Sequence, residues 1–302
     1  MIITITLNPS IDRTLLANHF FIQTVCRGTL VNNAPGGKGI NVARAVNQLG
    51  GDSLALCALG GETGQSIKTK LEAERLAFKA IEVAGNSRTC SAIIDPVNNT
   101  ETVINEAGPS LSESEQTQFI DLFLSTIQPN DFIVMSGSFP EGVKPDFYAL
   151  LIRFANEKGA RVILDASGQP LIEGVKACPF LLKVNRNELM TLTHSEAISF
   201  DAVAPLFKQG IGAIVVTDGP CPVYAFYRGQ TLVVCPPEVK AVNSWGSGDC
   251  VAAGLAVGLE KEMSFEAALK LGIAAGVANT LSFGPGFLKK EAAMGFYEAL
   301  CG

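Results

Sequence analysis

The sequence predicts a single α/β domain over residues 1–302, with a mostly parallel central sheet and a small β-sheet lid. Three observations predict it. From about residue 111, short apolar strands alternate with longer helical stretches, the pattern of a parallel sheet covered on both faces. Two glycine-rich turns, Gly36-Gly37-Lys38-Gly39 and Gly246-Ser247-Gly248, each open a helical stretch. Extended segments at approximately 12–34 and 87–105 fall outside the main alternation, and these are assigned to the lid.

Residues 2–7, IITITL, alternate and are rich in β-branched side chains, which suits a strand; Asn8-Pro9 then breaks it. A second extended region from about 20 to 34 ends in the turn-rich NNAPGG. Residues 40–50 place Val42, Ala45, Val46 and Leu49 on one helical face. Residues 53–59 read as a strand and 64–76 as a helix. Segments 87–94 and 101–104 read as a hairpin across Asp95-Pro96-Val97-Asn98-Asn99. Beyond it, strands are expected at 132–135, 161–165, 181–184, 213–217, 223–227 and 231–235, with helices at 113–125, 144–157 and 202–208. Residues 250–259 and 267–281 read as buried helices. Glu260, Lys261, Glu262 and Glu266 interrupt that apolar tract, so neither half suits a bilayer.

Acidic residues outnumber Lys and Arg by 29 to 23, and no basic cluster offers a surface for phosphate backbones, so nucleic acid is not an expected partner. The amino terminus begins as a strand, without the basic region and apolar run of a signal peptide. Eight scattered cysteines without a CxxC pair, and only two histidines, argue against a zinc site and a disulfide framework. A cytoplasmic protein with reduced thiols is expected. His19 and His194 lie far from any nucleophile motif, and Cys250 reads as packing material.

The chemistry-bearing residues cluster at turns. In Asn243-Ser244-Trp245-Gly246-Ser247-Gly248-Asp249, two glycines permit a tight turn before a helix whose first amides are unpaired, which makes an anion cradle with a carboxylate at its end. Such a carboxylate suits proton removal from an attacking hydroxyl, although a simple acidic helix cap has the same local pattern. Gly36-Gly37-Lys38-Gly39 adds a point charge suited to phosphate but lacks P-loop spacing. Asp12 can accept bonds from two neighbouring sugar hydroxyls, and Arg88 can clamp a phosphate in fork fashion. Asn185 and Glu188, as N-x-x-E, suit Mg²⁺ through its waters. Thr217-Asp218-Gly219 closes a strand where nucleotide phosphates can approach.

In order, TLNPSID (6–12), GGKGINVARAVNQLG (36–50), SRTC (87–90), NEAGP (105–109), SGSFPEG (136–142), NRNE (185–188), TDG (217–219) and NSWGSGD (243–249) cover nearly the whole chain. Together they resemble the motifs of the ribokinase-like sugar kinases, the PfkB carbohydrate kinase family, and within it the phosphosugar branch containing 1-phosphofructokinase and tagatose-6-phosphate kinase. The resemblance implies a ribokinase-like three-layer sandwich, ATP and Mg²⁺, and a homodimer formed through the lid. It implies that Asp249 is the catalytic base and that Gly246, Ser247 and Gly248 form the anion hole. Asp12, Gly37 and Asn41 would hold sugar hydroxyls, and Lys38 and Arg88 the phosphate already on the substrate. Glu188 with Asn185 would organise Mg²⁺, Thr217 and Gly219 would face ATP, and Asn279 would lie near the adenine and ribose.

The implied reaction converts fructose 1-phosphate to fructose 1,6-bisphosphate. Tagatose 6-phosphate or fructose 6-phosphate as acceptor, and a catalytically silent sugar-phosphate sensor, are the alternatives. Trp245 departs from the family pattern, being bulky where a smaller aliphatic side chain is usual, and would narrow the nucleotide side or pack beneath it. Cys250 stands where a small hydroxyl residue or alanine is frequent, and Lys183-Val184-Asn185 lacks the proline of the family's Lys-Pro-Asn.

Overall fold

The computed structural model describes residues 1–302. Its first part comprises β1 (Ile2–Thr6), β2 (Ser10–Leu16), β3 (Thr29–Gly36), α1 (Lys38–Gln48), β4 (Ser53–Gly60), α2 (Gly61–Ala73), β5 (Phe78–Val83), β6 (Arg88–Asp95) and β7 (Thr100–Asn105). There follow α3 (Glu113–Thr126), β8 (Phe132–Ser136), α4 (Phe147–Glu157), β9 (Arg161–Asp165), α5 (Gly168–Val175), β10 (Leu181–Asn185), α6 (Arg186–Thr193) and α7 (Phe200–Gln209). The chain ends with β11 (Ala213–Thr217), β12 (Val223–Tyr227), β13 (Gln230–Val234), α8 (Ser247–Glu260), α9 (Phe265–Thr280) and α10 (Lys290–Cys301).

Nine strands form the large sheet in the order β13-β12-β11-β10-β9-β8-β1-β4-β5. Neighbours from β5 to β11 are parallel, and β12 and β13 add antiparallel at one edge. The two-residue period of a strand sends successive side chains to opposite faces, so strands buried on both sides must be apolar throughout. Ile3, Ile5, Ile133 and Met135 accordingly join Phe119, Phe123, Tyr148 and Leu151 of α3 and α4 on one face. Ile2, Phe132 and Val134 join Val42 of α1, Leu255 of α8 and Leu269 of α9 on the other. This is the three-layer α/β sandwich expected from the alternation.

The small sheet has the order β3-β2-β6-β7, with the β6–β7 pair antiparallel across the predicted turn. It differs from expectation at the start. The strand lies at Ser10–Leu16, and residues 20–28 form none. Phe21, Ile22 and Val25 are exposed and have no ladder partner, so their β-like composition has nothing to pack against. Elements β5, α5, α6 and α10 went unread in the sequence. Of these, α5 and α6 are only eight residues long, too short for a helical period to declare itself.

Right-handed crossovers bring the carboxyl ends of β1, β8, β9, β10 and β11 to one edge. Asn8, Ser136, Asp165, Asn185 and Thr217 sit at or just beyond those ends, facing the small sheet and the first turns of α1 and α8.

Candidate active site

The first turn of α8 is built by glycine. Gly246 caps it at φ 84° with no side-chain cap; Ser247 N donates to Ser244 O at 3.2 Å, and the Gly248 and Asp249 amides remain free to receive an anion. A β-carbon on Gly246 would come within 2.5 Å of Pro285 Cα. Gly246→Ala is therefore expected to cost about 1–3 kcal/mol, measured by denaturant unfolding. Asp249 lies in this first turn, 4% exposed, and its Oδ2 accepts from Asn41 Nδ2 at 2.8 Å. Burial pushes the Asp249 carboxyl up to about 6, against the charge of Lys38 and the Asn41 hydrogen bond. A buried carboxylate with a value near neutrality is suited to general-base work.

Behind the cradle lies a charge cluster that sequence reasoning missed. Asp165, at the end of β9, is 1% exposed, and its Oδ1 takes Lys183 Nζ at 3.2 Å and Lys38 Nζ at 3.5 Å. Burial opposes the Asp165 charge, but the two ammonium groups outweigh burial and hold the carboxyl below its ordinary value. The Asp165 charge, followed by those of Asp249 and Glu188, raises Lys38 against burial. A β-carbon on Gly248 would lie 2.8 Å from Lys183 Nζ, so that ammonium sits directly beneath the cradle. The only sequence signal was a lysine inside an otherwise apolar strand. Lys38 is thus held by Asp165 beside the cradle.

Asp12, Gly37, Lys38, Asn41, Arg88 and Asp249 line a polar cavity of about 430 Å³ between the two sheets. Asp12 is on β2, where its carboxylate lies against Gly36 so closely that no side chain fits there. Ser10 Oγ donates to Asp12 Oδ1 at 2.6 Å. Burial pushes Asp12 up to about 6, opposed by the Ser10 bond, Arg44 and Arg88. Thr6, Asn8 and Ser136 line the same cavity, and each keeps a buried side-chain oxygen without a protein partner, capacity that sugar hydroxyls can satisfy. Arg88 donates to Asn8 O at 3.3 Å and to Glu106 O at 3.0 Å, which orients its remaining N–H groups. Trp245 lines this cavity.

A second cavity, of about 730 Å³, is walled by apolar groups including Val223, Val239, Val251 and Ile273, with Thr217 and Gly219 at its rim. The two cavities share Thr217 and Gly248. Asn279 is not in its wall. It is fully buried, accepts from Ser247 Oγ at 3.3 Å and donates to Gly284 O and Phe287 O at 3.2 and 2.8 Å. It therefore ties the 281–288 loop to the cradle, while its neighbours Val277 and Thr280 line the cavity.

The N-x-x-E motif is first a capping box. Asn185 Oδ1 accepts from Glu188 N at 2.9 Å, and Glu188 Oε2 accepts from Asn185 N at 2.8 Å. The Asn185 oxygen thereby spends one of its two lone pairs on the helix end. Glu188 Oε1 remains free, and no three His, Cys, Asp or Glu side chains converge as a metal group. That donor set fits a hydrated Mg²⁺ carried largely by nucleotide phosphates, and does not fit an all-protein cage.

Residues 5–292 match the family described as pfkB family carbohydrate kinase. A tagatose-6-phosphate kinase of Staphylococcus epidermidis is 35% identical over 301 residues, covering 96% of each chain. A 1-phosphofructokinase of Bacillus subtilis is 34% identical over 286 residues, covering 93% of each. Among solved structures, phosphofructokinase-2 from Escherichia coli in complex with substrates and products superposes with a TM-score of 0.93 at 29% identity, covering 100% of this chain and 99% of that one.

Proposed function

The chain belongs to the pfkB family of carbohydrate kinases, and from that premise we propose that it transfers the γ-phosphoryl group of ATP to a hydroxyl of a ketohexose monophosphate. One observation carries the reading: a polar cavity and a mostly apolar one meet at Thr217 and Gly248, with the buried base Asp249 on the polar side. The polar cavity suits a phosphosugar and the apolar one an adenine. Fructose 1-phosphate is the acceptor we favour. Asn105 of the NEAGP segment lines the acceptor cavity, and the carbonyl of its neighbour Glu106 holds Arg88 in place. Relatives named for tagatose 6-phosphate and fructose 1-phosphate are about equally similar, so tagatose 6-phosphate is the second choice.

In the mechanism we infer, Asp12 and the unpartnered oxygens orient the sugar and Arg88 holds its phosphate. Asp249 takes the proton of the acceptor hydroxyl as its oxygen bonds to the γ-phosphorus and the bond to ADP breaks. The Gly248 and Asp249 amides and the Lys38 and Lys183 ammonium groups meet the charge on the transferring oxygens. Bound with the nucleotide, Mg²⁺ would neutralise phosphate charge, held through water by the spare Glu188 oxygen.

No helix is long and apolar enough to cross a membrane, and all eight cysteines are unpaired, which suits a cytoplasmic setting. The small sheet exposes Leu30, Val103 and Ile104, a surface we assign to contact with a second copy of the chain.

The test is Mg²⁺-dependent ADP formation with fructose 1-phosphate, tagatose 6-phosphate, fructose 6-phosphate and fructose, compared by kcat/KM. One phosphorylated ketohexose is expected to exceed fructose by about a hundredfold or more. Turnover no higher than the no-sugar background would overturn the reading in favour of another acceptor or a silent sugar-phosphate sensor.

A further inference from the structure

Arg44 is a charged residue only 2% exposed, on a helix face otherwise occupied by core. A guanidinium so placed must spend its donors on fixed partners. One partner is ionic: Nε donates to Glu74 Oε2 at 2.6 Å. The others are pieces of the active site. Nη1 donates to Asn41 Oδ1 at 3.3 Å and to Pro285 O at 3.1 Å, and Nη2 donates to Pro35 O. The guanidinium also lies over the Phe287 ring, 4.4 Å from its centroid.

Each contact reaches a different part of the site. Pro35 precedes Gly36, against which the Asp12 carboxylate rests. Pro285 is the residue that Gly246 packs on. Asn41 turns its amide nitrogen to Asp249. An arginine only donates and an ionised carboxylate only accepts, so between them the Asn41 amide has one satisfied orientation: oxygen to Arg44, nitrogen to Asp249.

We propose that Arg44 is a positioning residue, which registers the acceptor-side Asp12 strand, the Gly246 cradle and the base Asp249 to one another through a single buried guanidinium. It touches no reacting atom. Its effect passes through Asn41, whose hydrogen bond to the ionised form of Asp249 favours that form. The other charges facing Asp249 are Lys38 of α1, Asp165 of β9 and Lys183 of β10, and none of them is bonded to Arg44. The proposal rests on the kinase reading for its effect on turnover, but not for its effect on the carboxyl.

The experiment follows the Asp249 carboxyl titration by ¹³C NMR in the unliganded protein, alongside kcat, in Arg44→Lys, Phe287→Leu and Glu74→Gln. Arg44→Lys keeps the charge but loses the fork. It is expected to raise the Asp249 midpoint by about half a unit and lower kcat by about tenfold. Phe287→Leu frees the guanidinium plane and should move both in the same direction by less. Glu74→Gln weakens the ion pair, and should lower Tm without moving the midpoint. An unmoved midpoint in Arg44→Lys, or a Glu74→Gln shift equal to it, would overturn the proposal. If Arg44→Lys does not fold, an unmoved midpoint in Phe287→Leu overturns it. Absent turnover in the wild-type enzyme would count against the kinase reading alone, since the titration is read without substrate.

Discussion

Asp249→Asn is expected to lower kcat by about 10²- to 10⁴-fold, with KM for sugar and nucleotide changed by no more than about threefold. The substitution keeps the side chain's shape and leaves the cradle amides in place, so binding should survive. What it removes is the capacity to take a proton. In the wild-type enzyme the pH dependence of kcat should carry the same group. The base works only when ionised, and burial lifts Asp249 to about 6, so kcat should be flat above that value and fall about tenfold per pH unit below it. Asp12 is raised to about 6 as well, but it acts in binding. Its titration therefore belongs to kcat/KM, and saturating sugar separates the two. The Asn variant should lose the acid limb of kcat. An Asp249→Asn enzyme with normal turnover would remove Asp249 from the chemistry.

Most of this site could be read from local sequence. Gly246-Ser247-Gly248-Asp249 and Gly36-Gly37-Lys38-Gly39 announce themselves because a turn into an uncapped helix requires residues of that kind in immediate succession. The charge cluster does not announce itself, because it joins ends of separate strands. Asp165 matters through Lys183 on the neighbouring strand and Lys38 on a helix far away in the chain. Asn279 shows the converse. The resemblance implied a ligand nearby, and what the bare sequence does not show is that this asparagine in an apolar helix is buried, its nitrogen spent on a loop eight or fewer residues away and its oxygen on Ser247. Asn185 and Glu188 satisfy a helix end before anything else, a use that the bare motif leaves open. Arg44 lay within a recognised motif and drew no notice, because a helical arginine is ordinarily solvated.

The two cations first grouped together should separate in kinetics. Arg88 is anchored by two carbonyls on the acceptor side, so its remaining donors make a preset fork for a phosphate already on the sugar. Hydrogen bonds to charged groups contribute about 1.5–3 kcal/mol. Arg88→Leu should therefore raise KM for the phosphorylated ketohexose by about ten- to a hundredfold, with kcat changed far less and weak turnover of unphosphorylated fructose unaffected. Lys38 is placed differently. Its ammonium is 3.5 Å from Asp165 Oδ1 and carries the largest opposing charge on Asp249. Lys38→Met should thus lower kcat by about a hundredfold at nearly constant sugar KM. It should also move the acid limb of kcat upward, since removing a nearby positive charge makes Asp249 harder to ionise. Steady-state kinetics of both variants across pH decides the matter. Equal loss of sugar affinity in the two would return Lys38 to the resident phosphate, and an Arg88 variant impaired only in kcat would place that side chain at the transferring group instead.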